Sequence, residues 1–161
     1  MFVPSSYHYG QHLFTNPFTV CFCCKTQVLI NIFSLETGAL PIYLGIVEKN
    51  GHKLLAINGM PDHIHIFIGM RPTQSVSDLL QDIKRNSSLW INKRGFVNGK
   101  FEWQEGYGAF SYSKSHVKNV IEYIRKQEEH HKKHTFKEEY LEFLKKFEIE
   151  YDEKYIFRDP L

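Results

Sequence analysis

Two histidines set the chemical question. His63 and His65 flank Ile64 in Gly59-Met60-Pro61-Asp62-His63-Ile64-His65-Ile66-Phe67-Ile68-Gly69-Met70. Asn58-Gly59 and Pro61-Asp62 are turn pairs, and the β-branched run after them reads as a strand. Side chains alternate across a strand, so Ile64, Ile66 and Ile68 share one face and His63, His65 and Phe67 the other. Two imidazoles about 7 Å apart along one strand face can converge on a single divalent cation, for which neutral imidazole is a common ligand. The plainer alternative is two half-exposed histidines in a sheet.

A second set of polar residues falls on a predicted helix. Val117, Val120, Ile121 and Ile124 form its apolar stripe. Beside it Tyr123, Gln127, His130 and His134 recur at i, i+4, i+7 and i+11, along one side. Lys126, Lys132 and Lys133 add local positive charge there, as Lys84 and Arg85 do on an earlier helix. With His130, these are the candidate contacts to nucleic-acid phosphate; an ordinary solvated face is the alternative. Trp103, Tyr107 and Tyr112 could stack on unpaired bases or simply pack.

These residues need a frame, and 161 residues suffice for one domain with a true core. The net charge of +2 does not announce a nucleic-acid binder, so any such surface is local. No apolar run is long enough to span a membrane, and no secretory signal opens the chain. Cys21, Cys23 and Cys24 have no partner cluster and read as reduced thiols of a cytoplasmic protein.

The elements follow in order. Phe18 to Cys24 is apolar enough for a strand, and 27–35 could be strand or helix. Pro41 argues against a helix through its stretch, and regular patterning resumes near Gly45. Lys53 to Ile57 and the histidine strand form a hairpin around Asn58-Gly59. Ser75 with Asp78 caps a helix whose stripe is Val76, Leu79, Leu80, Ile83, Ser87, Trp90 and Ile91, closed by Lys93-Arg94-Gly95. Lys100 to Gln104 and Gly108 to Ser113 look extended. Ser113 or Ser115 can cap the Tyr123 helix. Thr135 with Glu138 is a capping box for a last helix, with Phe136, Tyr140, Phe143, Leu144 and Phe147 as its stripe. The tail 149–161 reads as a packed arm. With one strand and one helix supplied by the first 44 residues, the order is β-α-β-β-α-β: an α+β, ferredoxin-like split βαβ antiparallel sheet with a central histidine strand.

The ordered motifs carry a resemblance. His63-Ile64-His65, then Trp103-Gln104-Glu105-Gly106-Tyr107-Gly108-Ala109-Phe110-Ser111, then Tyr123-Ile124-Arg125-Lys126-Gln127-Glu128-Glu129-His130-His131 resemble the single-tyrosine HUH transposases of small, insertion-sequence-200-like elements. The resemblance runs from about Gly45 to the C terminus and does not cover the first 44 residues. The resemblance implies the HUH-endonuclease type of fold and a homodimer that cuts and rejoins single-stranded DNA at the hairpin ends of a mobile element. It implies Mg²⁺ or Mn²⁺ on His63 and His65 with Gln127 as third ligand. Tyr123 becomes the nucleophile that forms a 5′-phosphotyrosine. His130 and His131 are candidate metal ligands too, but a surface or DNA-phosphate role is the favoured reading. Two other functions compete: a metal-dependent phosphodiesterase using water, and a decayed, non-catalytic nucleic-acid-binding relative.

The domain is read as 1–161, with 1–44 atypical. Family members open with a strand of the type Val-Phe-Ala-Val-Lys. Cys21-Phe22-Cys23-Cys24-Lys25-Thr26-Gln27-Val28-Leu29 can be encoded so that a one-nucleotide shift yields such a strand. Part of 1–44 is therefore expected to be translated out of frame, leaving the sheet short of a central member and the histidine strand with an exposed edge.

Overall fold

The computed structural model describes residues 16–23 and 39–152. The strand-or-helix expectation for 27–35, residue Cys24 of the first strand, and the tail beyond 152 lie outside them. The elements are β1 (Asn16–Cys23), α1 (Ala39–Lys49), β2 (Lys53–Gly59), β3 (His63–Met70), α2 (Val76–Arg94), β4 (Gly108–Ser111), α3 (Val117–Arg125), α4 (Gln127–His130) and α5 (Phe136–Lys146). The sheet order is β2-β3-β1-β4, with every neighbouring pair antiparallel. This is the split βαβ arrangement expected from the element order.

β1 fills the place between β3 and β4, pairing Cys21 with His65 and Cys23 with His63 on one side and Cys21 with Gly108 on the other. The expected gap beside the histidine strand is therefore absent: β3 is hydrogen-bonded on both edges. Pro41 also stands corrected. It lies in the first turn of α1, where the first four N–H groups have no intrahelical acceptor and a missing one costs nothing. The helix buries Ala39, Tyr43, Ile46 and Val47 at i, i+4, i+7 and i+8.

β3 is buried from His63 to Gly69 because both faces are covered. Ile64, Ile66 and Ile68 pack with Tyr43, Val47, Leu54, Leu79 and Ile83 of α1, β2 and α2. Each buried isoleucine contributes about 1.5–3 kcal/mol. Phe67 turns the other way, onto Val120 and Ile124 of α3. The rings of Phe143 and Phe147 on α5 lie 5.0 Å from that of Phe110 on β4. Gly108 allows this approach, since a Cβ there would stand 2.6 Å from Cε2 of Tyr140.

Several boundaries differ from the sequence reading. β2 runs through Gly59, so the hairpin turns at Met60-Pro61-Asp62, closed by Met60 N–H to His63 C=O at 2.8 Å. Residues 100–104 form no strand, only an isolated bridge at Trp103. They are held by the Asn92 amide, which accepts from Phe101 N–H (2.7 Å) and donates to Phe101 C=O (3.0 Å). Trp103 Nε1 donates to Ser87 Oγ at 2.9 Å, so this tryptophan packs. Both expected capping pairs hold: Ser75 accepts from Asp78 N–H, and Thr135 with Glu138 forms the full box. Neither Ser113 nor Ser115 caps α3: a 3-10 turn, Lys114–His116, intervenes, and α3 begins behind His116 without a side-chain cap.

Candidate active site around Glu139

β3, α3 and α4 bring four side chains together. His63 and His65 project from the β3 face opposite the isoleucines, both fully buried. The Asn58 amide donates to the Ile124 carbonyl at 2.9 Å, tying the end of β2 to α3. The expected continuous helix is broken: Lys126 leaves helical geometry at φ −93°, ψ 16°, and α4 is a single turn after it. The break nevertheless leaves Tyr123 and Gln127 facing one centre.

That centre is Glu139 on α5, a residue absent from the sequence reading. It is 2 % exposed, and its two oxygens divide the site. Oε1 accepts the hydroxyl of Tyr123 and the amide Nε2–H of Gln127 (3.1 Å), with His130 Nε2 at 3.8 Å. Oε2 faces the Nε2 atoms of His65 (3.2 Å), His131 (3.4 Å) and His63 (3.8 Å). His63, His65, His131 and Glu139 each offer a ligand atom, and these all lie within 4.8 Å of one another. Glu139 could have been noticed: it falls three residues after Phe136 and four before Phe143, a carboxylate set in the apolar stripe.

His131 corrects the surface assignment. Its side chain is 8 % exposed, with Nδ1 against the His134 carbonyl and Nε2 against Gln127 Oε1, both at 2.9 Å. His63 is oriented from behind by Asp62, whose Oδ1 lies 2.7 Å from Nδ1. Its Nε2 is buried and makes no hydrogen bond. A carboxylate behind one imidazole nitrogen and an unsatisfied lone pair at the other is how proteins hold metal-ligating histidines. The donor set thus fits a divalent cation.

Charge follows burial and pairing. Burial pushes the His63 imidazolium below its ordinary value, outweighing Asp62, so the ring is neutral and its lone pair available. Burial alone would raise Glu139, but hydrogen bonds from His131, His65 and Tyr123 hold it far below the usual carboxylate range. Burial would lower His131, yet the bond to Glu139 raises it.

Of the candidate DNA contacts, Lys126, His130 and Lys133 line one groove with Tyr123, and Lys132 with Lys133 lines the next, beside Asp62 and His131. Lys126 also pairs with Glu122 at 2.8 Å. Lys84 and Arg85 lie elsewhere, on α2 over the isoleucine face. There the Lys84 ammonium donates to the carbonyls of Gln104 and Gly106.

The sheet and this site define a class. The family described as "Transposase IS200 like" matches residues 10–127, and the chain belongs to it. The match begins upstream of Gly45 and takes in β1. Among relatives, the ISDra2 transposase TnpA of Deinococcus radiodurans is 24 % identical over 114 residues, spanning 65 % of this chain and 79 % of that protein. Two solved structures share the fold. A putative transposase from Deinococcus radiodurans has a TM-score of 0.51 at 21 % identity, covering 79 % of this chain and 98 % of its own. A REP-associated tyrosine transposase bound to a REP hairpin has a TM-score of 0.55 at 11 % identity, covering 78 % and 74 %. Among the described residues no helix is long and apolar enough to cross a membrane.

Proposed function

We propose that this transposase cuts and rejoins single-stranded DNA through a covalent 5′-phosphotyrosine on Tyr123, assisted by a divalent cation on His63 and His65 with Gln127 as third ligand. One observation carries the reading: the Tyr123 hydroxyl and the two histidines meet on the same carboxylate, Glu139. A water-using phosphodiesterase would not need a tyrosine there.

Tyr123 Oη bonds to phosphorus, the bond from phosphorus to the 3′-oxygen breaks, the phenol gives up its proton and the 3′-oxygen takes one up. A bound cation supplies neutralisation of the phosphodiester charge that would otherwise repel the nucleophile. His63 and His65 present imidazole nitrogens toward that charge, with Asp62 fixing the His63 ring. Glu139 aims the phenol. Lys126, Lys133 and His130 line the groove into which Tyr123 opens, where a strand's phosphates would lie. The bond energy stays in the phosphotyrosine, so the freed 3′-hydroxyl, or another, can reverse the step.

The test is incubation with single-stranded element ends and Mn²⁺ or Mg²⁺, followed by a denaturing gel. A protein–DNA adduct is expected; cleavage without an adduct would favour the water-using reading. The hairpin named for the REP-associated structure makes hairpin-bearing strands the first substrates to try. A homodimer is proposed from the family resemblance, and a monomer at micromolar concentration in sedimentation would refute it. The out-of-frame origin of part of 1–44 is a proposal about the gene. It fails if neither other frame of the upstream nucleotides encodes a Val-Phe-Ala-Val-Lys-like strand.

A further inference from the structure

The Nε2 atoms of three histidines converge on one buried carboxylate oxygen, Oε2 of Glu139. His131 Nδ1–H donates to the His134 carbonyl at 2.9 Å, so Nε2 is the ring atom turned into the site. Nε2 faces Gln127 Oε1 at 2.9 Å and Glu139 Oε2 at 3.4 Å. His63 repeats the arrangement: Nδ1 is against the Asp62 carboxylate, and Nε2, without a hydrogen bond, points to Glu139 Oε2. Three imidazole nitrogens and one carboxylate thus offer ligand atoms within 4.8 Å of one another, and the His63 nitrogen among them is buried without a hydrogen bond.

We propose that His131 and Glu139 join His63 and His65 as direct ligands of the cation, and that this site takes a transition ion such as Mn²⁺ in preference to Mg²⁺. The inference rests on the metal-assisted reading above and deepens it. Three imidazole nitrogens and one carboxylate suit first-row transition ions. Mg²⁺ favours oxygen ligands and keeps several of its waters, and a cage with donors within 4.8 Å of one another presents nitrogen in place of those waters. Glu139 then has two tasks. Oε2 binds the ion while Oε1 holds the Tyr123 hydroxyl, so one rigid carboxylate places the phenol beside the metal. Glu139 is in this second task a positioning residue.

Isothermal titration calorimetry of the full-length protein with MnCl₂ and with MgCl₂ tests this. Mn²⁺ is expected to bind at least about tenfold more tightly; equal or tighter Mg²⁺ binding overturns the preference. Glu139→Gln and His131→Ala are each expected to weaken Mn²⁺ by about a hundredfold, since even groups behind the ligands typically cost 10–100-fold. Tyr123→Phe is expected to leave Mn²⁺ affinity unchanged. Either ligand variant binding Mn²⁺ like the wild type overturns that residue's assignment. If His63→Ala also binds like the wild type, the metal reading itself fails; if His63→Ala loses binding while the other two keep it, only this inference fails. Glu139→Gln leaves several imidazoles without their counter-charge and could unfold. X-ray absorption on the wild-type Mn²⁺ complex avoids that risk: three imidazoles on the ion support the assignment and two overturn it.

Discussion

The two faces of β3 are built from the same strand and are both dry, yet they are held together differently. On the isoleucine face, Ile64, Ile66 and Ile68 meet Tyr43, Val47, Leu79 and Ile83. That contact is non-directional, and its contribution scales with apolar area. On the histidine face, His63, His65, His131, Gln127 and Tyr123 meet one carboxylate. Each contact there has a required direction, and each group left unpaired costs free energy. The first face supplies stability for the second, which holds lone pairs and a charge in an order that a reaction can use.

The largest expected effect separates the faces by stability. Ile66→Asp buries an unpaired carboxylate at several kcal/mol against a total of about 5–15 kcal/mol, and should leave the chain unfolded by circular dichroism. His63→Ala should cost only about 1–3 kcal/mol and remain folded while losing metal-dependent cleavage. If His63→Ala unfolds as Ile66→Asp does, the histidines are structural.

Next comes a loss confined to chemistry. Tyr123→Phe should abolish the DNA adduct on a denaturing gel. It removes one donor to Glu139, at about 1–3 kcal/mol, so cooperative urea unfolding should persist with a lower midpoint. An adduct that survives would move the nucleophile to Tyr107 or Tyr112.

Acid should weaken the metal-free protein through the histidine face. His63 is held below its ordinary value of 6.5, so below pH 6.5 the unfolded chain takes a proton that the folded one refuses, until pH falls through the folded value. Glu139, also depressed, contributes stability above its ordinary 4.5 that is lost as pH falls toward its folded value. His131 is raised, so its contribution is full below 6.5 and lost as pH rises through its folded value. The urea midpoint should therefore drop between pH 6.5 and 4, and His63→Asn should flatten the upper part of that drop. A wild-type midpoint constant over the range would contradict the shifts. The smallest effect is the control: Ile68→Val should cost about 0.5–1.5 kcal/mol, equally at both ends of the pH range.

Most of the frame was legible because it rests on local rules. The alternation in β3, the Ser75 and Thr135 caps, Gly95 in the left-handed conformation at the end of α2, and the four-residue spacing of Tyr123 and Gln127 are visible in the residues themselves. Pro41 misled because the cost of proline depends on its position in the helix, which the pattern around it does not mark. Only tertiary structure decided the rest. Phe18 to Cys24 was apolar enough to read as a strand, but its place in the middle of the sheet comes from pairing with strands far along the chain. Lys84 lies away from the site because α2 packs its Leu79, Leu80 and Ile83 onto the isoleucine face. Glu139 lies 74 residues from His65 and on a helix whose own pattern suggested only apolar packing. A buried carboxylate is tolerable only when groups from distant segments satisfy it, and no local pattern states which segments those are. The sequence by itself singled out His63, His65, Tyr123 and Gln127 as candidates; the packing of α5 against β3 and α3 determined that they meet on one carboxylate, Glu139.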